Sequence, residues 1–137
     1  EPIKTGSMKK DFYTRWQASV LKDGGCYVSR EYRCFQTALV REITRYATAI
    51  GATVVSYSKG YYDTSCFVGR NGNFVYICHS SGLCRMACGV RIDLGSFLIR
   101  TARHAKDYSG GCNNYCDISG LQAMMDRLLD RNGHADD

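Results

Sequence analysis

Four of the eight cysteines in this chain are spaced as two matched pairs. Cys84 and Cys88 bracket three residues in CRMAC, and Cys112 and Cys116 bracket three in CNNYC. Cysteines separated by two to four residues form the knuckles of structural zinc sites, where thiolates hold the ion tetrahedrally at about 2.3 Å. Two knuckles brought together by a fold close a four-thiolate shell. Such a shell leaves no position for water, so a Zn2+ held by Cys84, Cys88, Cys112 and Cys116 is structural, not catalytic. Cys78 and His79 are the substitute ligands for a mixed shell. Two other readings stay open: thiols buried on one face of a helix, and disulfides.

Other chemistry is thinner. A thiol with His79 or His104 is the raw material of a nucleophilic pair, but no orienting carboxylate stands at a recognisable spacing. Asp63, Asp93 and Asp107 are scattered, and only folding could collect them into a metal-dependent nuclease. There is no Walker loop and no dinucleotide fingerprint. No catalytic residue is assigned, and the chain is read as non-enzymatic.

Basic and aromatic residues recur together in two stretches. SYSKGYYD (56–63) carries Lys59, Tyr61 and Tyr62; LIRTARHAKDY (98–108) carries Arg100, Arg103, His104 and Lys106. Adjacent in space, they make a positive, aromatic surface. It suits bases and phosphates, or a protein face, where Tyr and Arg are the enriched anchors. The plain alternative is a solvated strand face.

These residues need elements to position them. The chain has 137 residues, a net charge of +5 and 45% apolar content, which describes one globular, basic domain. Gly6-Ser7-Met8 has the form of a cloning junction, so residues 1–7 are set aside and the domain is read as 8–131. Charges interrupt the only segment placed like a secretion signal, and no run approaches membrane-spanning length. The expected compartment is the cytoplasm, where reduced thiols favour metal over disulfides. A monomer without membrane contact is expected.

Phe12, Trp16 and Val20 recur at four, which predicts a short helix over 9–21. Ser29 suits an N-cap for a longer helix over 30–50, striped by Tyr32, Phe35, Leu39, Ile43, Tyr46 and Ile50, with Gly51 as its stop. ATVVSYS (52–58) reads as a strand. In CFVGRNGNFVYIC (66–78), Asn71-Gly72 suits a type I′ turn. That turn pairs Val68 with Val75, Cys66 with Ile77 and Phe67 with Tyr76, and puts Cys66, Val68, Val75 and Ile77 on one apolar face, with Cys78 on the other. Two further strands are expected at 90–94 and 97–103, with Gly95-Ser96 between them. A terminal helix is expected over 117–131, capped by Asp117 or Ser119, with Leu121, Met124, Met125, Leu128 and Leu129 apolar. The fold class is α+β: two N-terminal helices, an antiparallel sheet of four to five strands and a C-terminal helix, pinned by the structural zinc site.

FLIRTARHAKDYSGGCNNYC (97–116), preceded by the hairpin CFVGRNGNFVYI, resembles small uncharacterised phage and mobile-element proteins of gut Firmicutes, over residues 57–118. The resemblance implies an inhibitor of host defence in the bacterial cytoplasm, among them anti-CRISPR proteins against a type II effector nuclease. Many such inhibitors are acidic mimics of DNA, whereas this chain is basic. It is therefore expected to dock on an acidic face of the nuclease and block loading of guide or target DNA. The alternatives are a basic nucleic-acid-binding accessory protein and, third, the nuclease.

Overall fold

The 3.6-residue apolar period entering at Arg30 forms helix α1 (Arg30–Ala49), and Gly51, at a φ of +73°, ends it. In the computed structural model, which describes residues 30–60, 63–80, 97–108 and 110–130, five strands follow. They are β1 (Thr53–Lys59), β2 (Asp63–Arg70), β3 (Asn73–Ser80), β4 (Phe97–Ala102) and β5 (Asn114–Cys116). A single 3-10 turn (Ile118–Gly120) leads into helix α2 (Leu121–Leu129). The protein is thus α+β: one antiparallel sheet in the order β1-β2-β3-β4-β5, with two helices among the described residues. The helix expected over 9–21, the cap at Ser29, and the strand and break expected over 90–96 lie outside the described residues.

The β2–β3 hairpin follows from its turn. Asn71 and Gly72 take φ of +54° and +82°, the mirror-image turn whose twist matches that of the flanking strands. The register is the one a two-residue loop dictates: Val68 opposite Val75, Cys66 opposite Ile77, Phe67 opposite Tyr76, Ser65 opposite Cys78. Strand β4 extends it, with Ile99 beside Ile77, and β5 closes that side with Phe97 opposite Cys116. On the far side β1 pairs with β2 through a bulge between Val54 and Ser56.

One face of this sheet meets both helices. Cys66, Val68, Val75, Ile77, Phe97 and Ile99 pack against Phe35, Leu39, Ile43 and Tyr46 of α1 and Leu121, Met125 and Leu129 of α2. Burying each large side chain of this kind stabilises by about 1.5–3 kcal/mol. Ile50, Met124 and Leu128 are half-buried at the margin of the same cluster. The side chain of Tyr32 lies outside the described residues.

Polar side chains lock the layers. Gln36 of α1 donates from Nε2 to the carbonyls of Gly60 and Asp63, both at 2.9 Å, and so fastens the connection after β1. Arg70 donates from Nη1 to Asp126 Oδ1 (2.7 Å) and to Ile50 O (3.0 Å), tying the hairpin to both helices. Asn73 Nδ2 donates to Leu129 O at 2.9 Å and satisfies a carbonyl of the last turn of α2.

Two expectations near the C-terminus change. Residues 114–116 form a short edge strand, which the cysteine spacing did not suggest. The α-helix begins at Leu121, not at 117. Asp117 Oδ1 accepts from Gly120 N (3.0 Å) and Ser119 Oγ (2.8 Å), and this tight cap winds the first turn as 3-10. Those bonds hold the Asp117 carboxyl below its usual range.

Candidate functional site

Strand alternation gives the sheet a second face, away from the helices. Register places Ser65, Cys78, Leu98 and Tyr115 in one row across it, and Phe67, Tyr76 and Arg100 in the next. This face is not simply solvated. Phe67 is only 2% exposed, because the loop after β4 lays Tyr108 against it: the two ring centroids are 5.2 Å apart and edge-on. Tyr76 completes the triad, 5.1 Å from Phe67 and 5.5 Å from Tyr108. Offset and edge-on aromatic pairs at such distances stabilise by about 0.5–1.5 kcal/mol beyond burial. Arg100 places its guanidinium carbon 5.1 Å from the centre of the Tyr76 ring, within cation–π range. Its Nε is buried without a hydrogen bond.

The outer edge of this cluster is open. Tyr108 is 57% exposed and Tyr115 62% exposed. Arg103 and Lys106 lie exposed in the loop that carries Tyr108. Asp107, buried beneath it, accepts from Arg103 N at 2.9 Å and faces the Arg103 guanidinium at 3.6 Å. That pin, with the positive φ of Lys106 (+69°), shapes the loop that delivers Tyr108.

Of the predicted partner-binding residues, Arg100 therefore packs on the aromatic cluster, and Arg103 and Lys106 lie in the loop that supplies Tyr108 to it. Lys59 does not join them. It lies on β1, with two strands between it and β4, and its Nζ donates to Thr37 of α1 at 3.3 Å, on the helical side. The two basic-aromatic stretches are separated because β2 and β3 intervene. Tyr61 and Tyr62 lie outside the described residues. Tyr76 and Tyr115 were missed as surface residues. The signal for Tyr76 was its place opposite Phe67, on the face the core does not use; for Tyr115 there was none without β5.

The predicted metal ligands are placed in part. Cys84 and Cys88 lie outside the described residues. Cys112 is exposed in the loop before β5, where Asn114 Nδ2 donates to Cys112 O at 3.2 Å. Cys116 is half-buried beside the core, and burial, then Asp117, raises its thiol above the ordinary range. The substitutes divide between faces. His79 is 1% exposed on the core face, between Phe35 (5.1 Å) and Phe97 (4.9 Å). Cys78 looks out from the other face, next to Tyr76; burial raises both groups. Alternation thus keeps Cys78 and His79 from sharing one ion or forming one Cys–His pair. Among the described residues no three His, Cys, Asp or Glu side chains gather as a metal cluster.

The carboxylates are no closer to a catalytic constellation. Asp63 opens β2 beside Ser80, whereas Asp107 follows β4 past Ala102, at the opposite end of the strands. Asp93 lies outside the described residues. His104 is exposed, its Nδ1 3.0 Å from Ala105 O. No helix among the described residues is long and apolar enough to cross a membrane. No protein-family model matches this chain, and neither a curated protein nor a solved structure matches it.

Proposed function

We propose that this protein is a non-enzymatic, protein-binding inhibitor that acts by stoichiometric contact, with a type II CRISPR effector nuclease as the partner class to test first. The observation that carries the binding reading is the Phe67–Tyr76–Tyr108 cluster with Arg100 stacked on it, edged by Tyr115, Arg103 and Lys106. Rigid, half-exposed tyrosines beside arginine are the composition of protein-binding hot spots. The basic rim suits an acidic face and speeds encounter. The mobile-element resemblance of residues 97–116 supplies the partner class and the inhibitory role.

Titration into a DNA-cleaving type II effector tests this. The expected result is inhibition saturating at a fixed molar ratio, with Tyr108→Ala and Tyr115→Ala each weakening it and Arg103→Glu weakening it more at low salt than at high salt. Tight, steeply salt-dependent binding of bare DNA or RNA without inhibition points instead to the nucleic-acid accessory role. Multiple-turnover cleavage of any substrate overturns the reading.

A further inference from the structure

The two edges of the sheet differ. Strand β1 has β2 on one side and, among the described residues, no strand on the other. It runs seven residues, Thr53–Lys59, with no proline among them. At about 3.3 Å per residue this is a ladder of roughly 23 Å whose outer row of backbone donors and acceptors meets no strand among the described residues. Protein edges of this length are ordinarily blunted by proline, inward charge or cover, because an open edge is a template for another strand. Within the ladder the blunting devices are the bulge at Val54/Ser56 and the terminal Lys59, and Ser56–Lys59 is regularly paired with β2. The opposite edge, β5, has only three residues.

Two apolar side chains stand out along this edge: Val55 is 45% exposed and Tyr57 58% exposed. Beside them runs a basic ridge. Lys59 Nζ contacts Thr37 Oγ1, and Thr37 lies one helical turn from both Arg33 and Arg41 on α1. Arg33, Arg41 and Lys59 are exposed and form no ion pair among the described residues. Glu42, next to Arg41 on α1, is buried and is held by Arg45 at 2.9 Å. A backbone ladder without a strand partner and three cations without an ion pair among the described residues, with flanking apolar side chains, are complementary to one kind of occupant.

We propose that the open edge of β1 is the docking site for an extended, acidic segment of a protein partner, which adds to the sheet as a sixth strand. Main-chain hydrogen bonds to β1 supply affinity. Val55 and Tyr57 contact alternate apolar side chains of the incoming strand, and Arg33, Arg41 and Lys59 select carboxylates between them. This surface is separate from the Tyr108 cluster, and it rests on the reading that the protein works through protein contacts.

The test uses the full chain and a capped peptide matched in length to β1, alternating valine with glutamate. The readout is amide hydrogen exchange, residue by residue. Slowed exchange confined to Thr53–Lys59 is expected, with an Arg33→Glu/Lys59→Glu variant binding the peptide about tenfold more weakly. A fully N-methylated peptide of the same charge should give no protection. Lack of protection of β1 at peptide concentrations near about 1 mM overturns the proposal, as does equal protection by the N-methylated peptide. Equal protection of β1 by a single-stranded oligonucleotide of matching charge overturns it in favour of phosphate recognition. The outcome is independent of the nuclease titration. Failure of inhibition with β1 still protected removes the inhibitor reading alone; inhibition retained with no peptide protection of β1 in the wild-type protein removes the edge alone.

Discussion

Cys66 shows how burial and reactivity are decided one side chain at a time. It sits on the core face opposite Ile77, and burial, with a smaller push from Cys78, raises its thiol from an ordinary value near 9 to about 12. A buried neutral thiol packs as a small apolar group and does not present the nucleophilic thiolate. Alkylation of the native protein at about pH 8 should therefore label the exposed Cys34 and spare Cys66 until the chain unfolds, as read by peptide mass spectrometry. The pH effect has a definite sign. Below about 9 the thiol is protonated in both states and its contribution is complete. As pH rises from there toward 12, the unfolded chain ionises and the folded one does not, so stability falls. Rapid native labelling of Cys66 would mean that its strand faces the other way.

Among elements, the β2–β3 hairpin organises the rest. Its turn needs positive φ at both Asn71 and Gly72, and no neighbouring atom crowds a side chain at 72. The penalty at this position is therefore backbone strain, which a β-branched residue feels most. Gly72→Val should lower stability by about 1–3 kcal/mol, with Gly72→Asn costing far less. An unchanged melting temperature for Gly72→Val would contradict the turn. This hairpin was readable residue by residue, since two-residue loops leave one register. Strand β5 was not: three residues give no periodicity, and Asn114–Cys116 is a strand only because β4 offers it an edge. Helix α2 was readable as a helix but not in its first turn, where the Asp117 cap to Gly120 replaced α by 3-10 geometry.

For the molecule as a whole, the open chemical question is the metal. We propose one structural zinc per chain, held by Cys84, Cys88, Cys112 and Cys116. What supports it is chain connectivity. Phe97 pairs with Cys116, and register puts Ser80 just beyond Phe97 at the same end of the sheet. Ser80, four residues before Cys84, and Phe97, nine after Cys88, therefore both lie at the end of the sheet that carries Cys116. A metal there would convert the raised Cys116 thiol to thiolate and join the two halves of the sheet's end, so binding energy becomes folding energy. Elemental analysis of protein purified without chelators should find about one zinc per chain, and Cys112→Ser/Cys116→Ser should lose it together with several degrees of melting temperature. Metal-free wild-type protein, or full occupancy in the double variant, contradicts the site.

Local rules determined what depends on neighbours in the chain. The α1 stripe from Phe35 to Tyr46 followed from period and stop, and the faces of Cys66, Val68, Val75 and Ile77 from one turn and alternation. Tertiary structure decided what depends on which strands become neighbours. Sheet order put two strands between Lys59 and Arg100, so one expected basic surface became two. A loop folded back over the second face and made Phe67, Tyr76 and Tyr108 a single cluster. The same order left β1 with no neighbouring strand on its outer side among the described residues. Strand order costs no local signature, because every antiparallel pairing uses the same backbone hydrogen bonds. It is chosen by the summed burial of side chains far apart in sequence, which no short window of residues contains.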